Sequence, residues 1–148
     1  LRGSQIVVYS CNYSSIVRAK SLARRTGLSV RAFAKGKLTH DEMLRLFARS
    51  KIYVGLSLSD GISTSLLEAM AMGAVPVQTS SSCCDEWFTD SGVTVARLDR
   101  ESVGQAILQG LKLAEDPTLR KRNREIISQR ASRDRLLKAS ASFYGTQQ

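Results

Sequence analysis

Five short runs rich in β-branched or apolar residues, "QIVVYS", "LSVRAFA", "KIYVGLS", "AVPVQTS" and "VTVARL", recur along the chain. They are separated mostly by segments whose apolar residues repeat at helical spacing. Strands divided by helical segments cannot close as hairpins, so they pair in parallel through right-handed crossovers. This alternation predicts a Rossmann-like α/β fold, a parallel sheet with helices on both faces. At 148 residues and 43% hydrophobic content the chain has enough apolar material for one ordinary core, so residues 1–148 are expected to form a single domain.

The helices carry their own start and stop signals. Ile16, Ala19, Leu22 and Ala23 are spaced as a helical stripe closed by Gly27. Thr39 and Glu42 form a capping-box pattern ahead of Met43, Leu46, Phe47 and Ser50. A helix is expected from about Ser63 to Met72, stopped by Gly73, and "SCCDEWFTDSG" suggests a helical turn. Asp99 caps a helix carrying Val103, Ala106, Ile107, Gly110 and Leu111, and Asp116 with Pro117 opens another with Leu119, Ile126 and Ile127. In the last segment Leu136, Leu137, Ser140, Phe143 and Tyr144 share one stripe, which predicts a packing helix with a basic exterior.

Lysine and arginine outnumber aspartate and glutamate by 22 to 13, a net charge of +9, which favours anionic partners. The basic stretch "LRKRNREIISQRASRDR" holds no aromatic residue, so direct nucleic-acid binding is not expected. The three cysteines are odd in number, and Cys83 and Cys84 are adjacent, which gives neither a disulfide framework nor metal-ligand spacing. No histidine follows the cysteine pair to act as a base, which argues against a thiol nucleophile. His40, the only histidine, reads as an exposed residue of a helix's first turn. Met70 and Met72 read as packing residues, as do Trp87 and Phe88. No window approaches the roughly 18 apolar residues of a membrane span, and no secretory signal is visible, so the chain is expected to be cytoplasmic or a piece of a larger protein. Its basic surface is compatible with peripheral membrane contact.

The chemistry concentrates in "SLSDGISTSLLEAMAMGAVPV", where Asp60 and Glu68 stand eight positions apart. The loop follows the "KIYVGLS" strand, and ligands of open α/β sheets sit outside the carboxyl ends of strands. Gly61 would let a ligand approach the backbone, and the amides of Ile62, Ser63 and Thr64 would lie at a helix start without intrahelical acceptors. Free amides and the helix dipole favour an anion such as a diphosphate. Glu68, a little over one turn in, could accept hydrogen bonds from a vicinal diol such as ribose. The same residues also fit an Asp-Gly turn, a Ser or Thr N-cap and a solvated glutamate, and both readings stand at this point.

The whole chain resembles the C-terminal, donor-binding domain of GT-B fold glycosyltransferases, specifically glycosyltransferase family 4. "DGISTSLLEAMAMGAVPV" reproduces the family's spacing, its first glycine, its second glutamate and the Pro-Val strand, and "THDEMLRLFARSKIYVGLS" and "EDPTLRKRNRE" resemble the flanking elements. The resemblance implies that Glu68 binds the donor ribose and that Gly61, Ile62, Ser63 and Thr64 cradle the diphosphate. It implies that Asp60 acts at the reacting centre, and that Gly36, Lys37 and Leu38 touch the base through their backbone. Glu86 matches a further acidic position more loosely. It also implies a retaining enzyme that needs no metal or cofactor. Its substrate would be a nucleoside diphosphate sugar and its acceptor a glycan, lipid or other hydroxyl compound held by an N-terminal domain.

Three departures mark this chain. Asp60 stands where the family has glutamate, and Ser63 replaces a second glycine. The family's first strand, with its arginine and lysine pair, has no counterpart in "LRGSQIVVYS", so the chain is expected to be a fragment that is inactive alone. The competing expectations are a non-catalytic nucleotide-binding or interaction module of the same fold and, last, a basic nucleic-acid-binding domain.

Overall fold

The computed structural model describes residues 5–9, 16–17, 20–21, 24, 27–34, 36–58, 61–81 and 83–145. Its strands are β1 (Ile6–Tyr9), β2 (Val30–Phe33), β3 (Ile52–Gly55), β4 (Val75–Thr79) and β5 (Val93–Val95). Its helices are α1 (His40–Ala48), α2 (Thr64–Ala71), α3 (Arg100–Leu113), α4 (Pro117–Ala131) and α5 (Arg133–Gly145), with a 3₁₀ turn at Cys84–Glu86. Ile16, Val17, Lys20, Ser21 and Arg24 are also helical, whereas Ala19, Leu22 and Ala23 of the expected stripe lie outside the described residues.

The sheet has five strands in the order β2-β1-β3-β4-β5, all parallel. Ile6 pairs with both Val30 and Ile52, so β1 separates β2 from the rest of the sheet. The chain winds outward from β1 in both directions, which puts a topological switch point between β1 and β3 and a crevice outside their carboxyl ends. This is the expected Rossmann-like α/β architecture.

Alternation along each strand divides the core into two layers. On one face Ile6, Val8, Ile52, Val54, Val75, Val77 and Val93 pack with Val103, Ala106 and Ile107 of α3. On the other, Val7 and Tyr53 pack with Phe47 of α1, Leu66, Ala69 and Met70 of α2, and Ile127 of α4. Met70 is fully buried, Met72 is partly buried against the same layer, and Phe88 and Trp87 join it, as their apolar character predicts.

Helix α2 ends in a left-handed glycine closure. Gly73, at φ +85°, donates its amide to Met70 at 2.8 Å, and the Ala74 amide reaches back to Ala69 at 2.9 Å. This is the paired bonding of a Schellman motif, which L side chains rarely permit at that glycine. From α4, Arg120 donates Nε to the Gly73 carbonyl at 2.7 Å and Nη2 to the Ser50 carbonyl at 3.1 Å. Burial, and then repulsion from Arg124, hold the Arg120 pKa below its ordinary value. Asn123, fully buried, donates Nδ2 to Ala74 at 3.3 Å and Ser91 at 3.1 Å, pinning α4 to the amino ends of β4 and β5.

The helix starts follow their sequence signals. Thr39 and Glu42 form the reciprocal box, with the Thr39 amide 2.8 Å from Glu42 Oε2 and the Glu42 amide 3.3 Å from Thr39 Oγ1. Asp99 accepts from the Ser102 amide at 2.9 Å, and Asp116 from the Thr118 amide at 2.8 Å. The Ser102 amide and hydroxyl hold Asp99 below the usual carboxylate range, and the Thr118 hydroxyl and amide do the same for Asp116. A carboxylate depressed in the folded state stabilises above its unfolded pKa and loses that contribution as pH falls through the folded value. Thermal unfolding temperature should therefore decline below about pH 4. The decline should be shallower in the double variant Asp99→Asn, Asp116→Asn; an identical acid slope in that variant would show that these caps contribute nothing to it.

One expectation fails. Leu136, Leu137, Phe143 and Tyr144 of α5 are exposed, and no residue of that helix is buried. The apolar stripe exists, but α1, α2 and α4 already cover that face of the sheet, and α5 meets chiefly α4 within this chain. No helix among the described residues is long and apolar enough to cross a membrane.

Candidate functional site

The loop after β3 leaves the sheet at its carboxyl edge and is tied at once to the end of β4. The Ser57 carbonyl accepts from Thr79 Oγ1 at 2.6 Å and from Ser81 Oγ at 2.8 Å, while Ser57 Oγ accepts from Nε2 of the buried Gln78 at 3.3 Å. Asp60 lies outside the described residues. The chain resumes at Gly61, whose carbonyl accepts from the Cys83 amide at 3.1 Å and beside whose Cα the space is open. The loops after β3 and β4 therefore support one another on both sides of the Asp60 position.

Ser63 occupies the N-cap of α2 in extended backbone, with φ −70° and ψ 117°. Its carbonyl starts the helix by accepting from Leu66 at 3.0 Å and Leu67 at 3.2 Å, but its hydroxyl makes no capping hydrogen bond. Ser63 thus takes the N-cap position, as the alternative reading also has it, without spending its hydroxyl on the cap. First-turn amides have no intrahelical acceptor, and α2 carries no acidic side chain in its first turn to answer them. Ile62 and Thr64 are exposed and Ser63 half-buried, so this positive helix end opens to solvent.

Glu68 lies one turn further along α2. Its Oε1 sits 2.8 Å from Nε2 of His40, the first residue of α1, with the two side chains 29% and 63% exposed. His40 is exposed in a first turn, as expected, but its partner 28 residues away was not foreseen. The capping box fixes where His40 begins its helix; the packing of α1 on α2, a tertiary fact, delivers it to Glu68.

The segment before α1 comes along with it. Gly36 adopts φ +78° in a turn closed by the Lys37 amide donating to the Ala34 carbonyl at 3.3 Å. Leu38 packs partly into the core layer beneath, two residues before His40. The structure thus joins Glu68 to the Gly36, Lys37 and Leu38 segment through His40, and places Gly61, Ile62, Ser63 and Thr64 at the head of the same helix.

Glu86 stands apart. It lies in the 3₁₀ turn, where its carbonyl accepts from the Arg130 guanidinium, which also stacks 4.3 Å from the Trp87 ring centre. Glu86, Trp87, Asp90, Arg122 and Arg130 line a cleft of about 170 Å³ that includes none of the residues from 36–40 or 61–68. Cys84 is buried, with its thiol directed at Thr79 and Asp85, and behaves as a core residue. Among the described residues no three His, Cys, Asp or Glu side chains converge as a metal site would require.

Comparison with known proteins adds to this geometry. Sucrose-phosphate synthase from Thermosynechococcus elongatus matches with a TM-score of 0.73 and 16% identity over 99% of this chain and 46% of its own. A mutant of S. aureus TarM, in a crystal structure with Fondaparinux, alpha-GlcNAc-glycerol and UDP, matches with a TM-score of 0.67 and 17% identity over 91% of this chain and 34% of its own. At such identities these likenesses establish the fold. A stretch of 41 residues is 46% identical to part of a protein of Sulfolobus islandicus filamentous virus (isolate Iceland/Hveragerdi) that bears a glycosyltransferase name, covering 28% of this chain and 12% of that protein. The chain therefore spans less than half the length of each of these relatives. The family model of glycosyl transferases group 1 matches residues 6–112, from the first strand through nearly all of α3, and on that match the chain belongs to the glycosyl transferases group 1 family.

Proposed function

We propose that this chain is the donor-binding domain of a retaining glycosyltransferase, which moves a sugar from a nucleoside diphosphate sugar to an acceptor hydroxyl. The observation that carries the reading is the head of α2: a serine N-cap that leaves its helix uncapped, with Glu68 one turn behind it, at the carboxyl edge of the sheet. The amides from Ile62 to Thr64 hold the diphosphate and stabilise charge on the departing nucleotide as the glycosidic bond breaks. Glu68 accepts the ribose hydroxyls, and the backbone of Gly36, Lys37 and Leu38 meets the base. Asp60 orients the transferred sugar at the reacting centre. The UDP named for the TarM crystal supports a nucleoside diphosphate as the ligand class.

Acceptor recognition, for a glycan, lipid or other hydroxyl compound, belongs in this reading to a domain outside these 148 residues, consistent with the 46% of sucrose-phosphate synthase that the chain covers. No metal or other cofactor is assigned a role, and the domain works in the cytoplasm, with its basic surface available for peripheral contact with membranes. One observation favours a second reading, a nucleotide-binding module without catalysis: aspartate at position 60 in place of the family's glutamate.

The test is a titration with UDP, GDP and ADP. At least one should bind saturably, and Glu68→Ala should weaken it by about tenfold or more, as loss of a hydrogen-bonded carboxylate does. Hydrolysis or transfer of the matching sugar donor by the intact enzyme then separates the catalytic reading from the non-catalytic one. Oligonucleotide binding with a steep salt dependence and no nucleoside diphosphate binding would sink both.

A further inference from the structure

We infer that His40 is a positioning residue for Glu68: it holds one carboxylate oxygen so that the other faces the donor ribose. The inference rests on the donor-binding reading above and extends it to a residue outside the motif.

The contact runs between Nε2 of His40 and Oε1 of Glu68 at 2.8 Å. An ionised carboxylate only accepts, so Nε2 must carry the proton, in the neutral Nε2–H tautomer or in imidazolium. Among the described residues Oε2 of Glu68 has no partner, and the side chain is 29% exposed, so one oxygen is committed and the other is open to a ligand.

His40 is itself firmly mounted. It is the first residue of α1, directly after the Thr39 and Glu42 capping box, and α1 is anchored to the sheet by the fully buried Phe47. A glutamate on a solvent-facing helix surface samples several rotamers and loses that freedom when it binds a diol. Here the loss is taken during folding, on a frame held by two helices, and not when the nucleotide arrives. The same contact couples the base segment to the ribose carboxylate, because Gly36, Lys37 and Leu38 lead directly into His40.

The experiment uses NMR titration of the 148-residue chain with UDP, GDP and ADP and with their 2′-deoxy counterparts, a method that reads weak binding. The wild type should bind one ribonucleotide more tightly than its deoxy form. His40→Ala should weaken that ribonucleotide roughly three- to tenfold, the range expected for losing one preorganised side chain, and leave the deoxy form within about twofold. His40→Gln, which offers a neutral N–H at similar reach, should recover most of the loss. The imidazole nitrogen signals of His40, the chain's single histidine, should shift on ribonucleotide addition in the wild type. Equal weakening of both nucleotide forms, or of neither, would overturn the positioning role while leaving donor binding intact. If the wild type binds none of the six, donor binding fails and this inference with it.

Discussion

Replacing Phe47 with alanine should lower the unfolding free energy by about 3–5 kcal/mol, the cost of removing a fully enclosed aromatic ring and leaving a cavity. Phe47 has no solvent exposure and is the only buried residue of α1. Its ring meets Tyr53 of β3 edge-on with centroids 5.5 Å apart and lies 6.4 Å from Phe33 of β2. One side chain thus fastens the helix that carries His40 to two strands of the sheet. Urea unfolding of the variant should show the lower midpoint with an unchanged slope, and nucleotide affinity should fall as α1 loosens. A loss below about 1 kcal/mol would mean that α1 is held by contacts other than this ring.

Asp60→Asn in the intact enzyme should slow sugar transfer by about a hundredfold or more while leaving nucleoside diphosphate affinity within a few-fold. A group that acts on the reacting sugar and not on the diphosphate loses rate without losing binding, and removal of one transition-state contact has an effect of this size. Asp60→Glu is the informative companion, because it restores the family's side-chain length. Faster transfer in that variant would show that the aspartate is a weakened version of the family's acid. Slower transfer would show that the site has been built around the shorter side chain. Transfer by Asp60→Asn at the wild-type rate would remove position 60 from the chemistry.

Much of the fold could be read from local signals because those signals are local in cause. The Thr39–Glu42 box, the Asp99 and Asp116 caps and the Gly73 stop each satisfy backbone groups within a few residues, so a short window contains the whole reason for each. The β-branched runs likewise became strands. The order of those strands and the seat of β1 between β2 and β3 depend on pairings far apart in sequence, which no window contains.

The site divides along the same line. The stretch from Gly61 to Glu68 is contiguous in sequence, and Ser63 and Thr64 fall on the predicted helix start with Glu68 one turn behind them. His40 was invisible as a partner because its meeting with Glu68 requires two helices to pack. Asn123 was missed for a different reason: within "LRKRNRE" it reads as one more polar residue on a basic surface, yet it is fully buried against backbone carbonyls. Conversely, the Leu136 and Phe143 stripe announced a packing face but contained no information about what packs there, and among the described residues nothing buries it.

The closure at Gly73 has a mechanical side. Arg120 fastens the carbonyl that follows α2, and Asn123 holds the next one, so the rear of the motif helix is clamped to α4 while its front turn stands uncapped. A rod clamped at its rear does not slide along its axis, and its first-turn amides are the part that no side chain of the helix answers. In the donor-binding reading, any adjustment to the nucleotide then falls to the turn between Gly61 and Ser65, ahead of the clamped end.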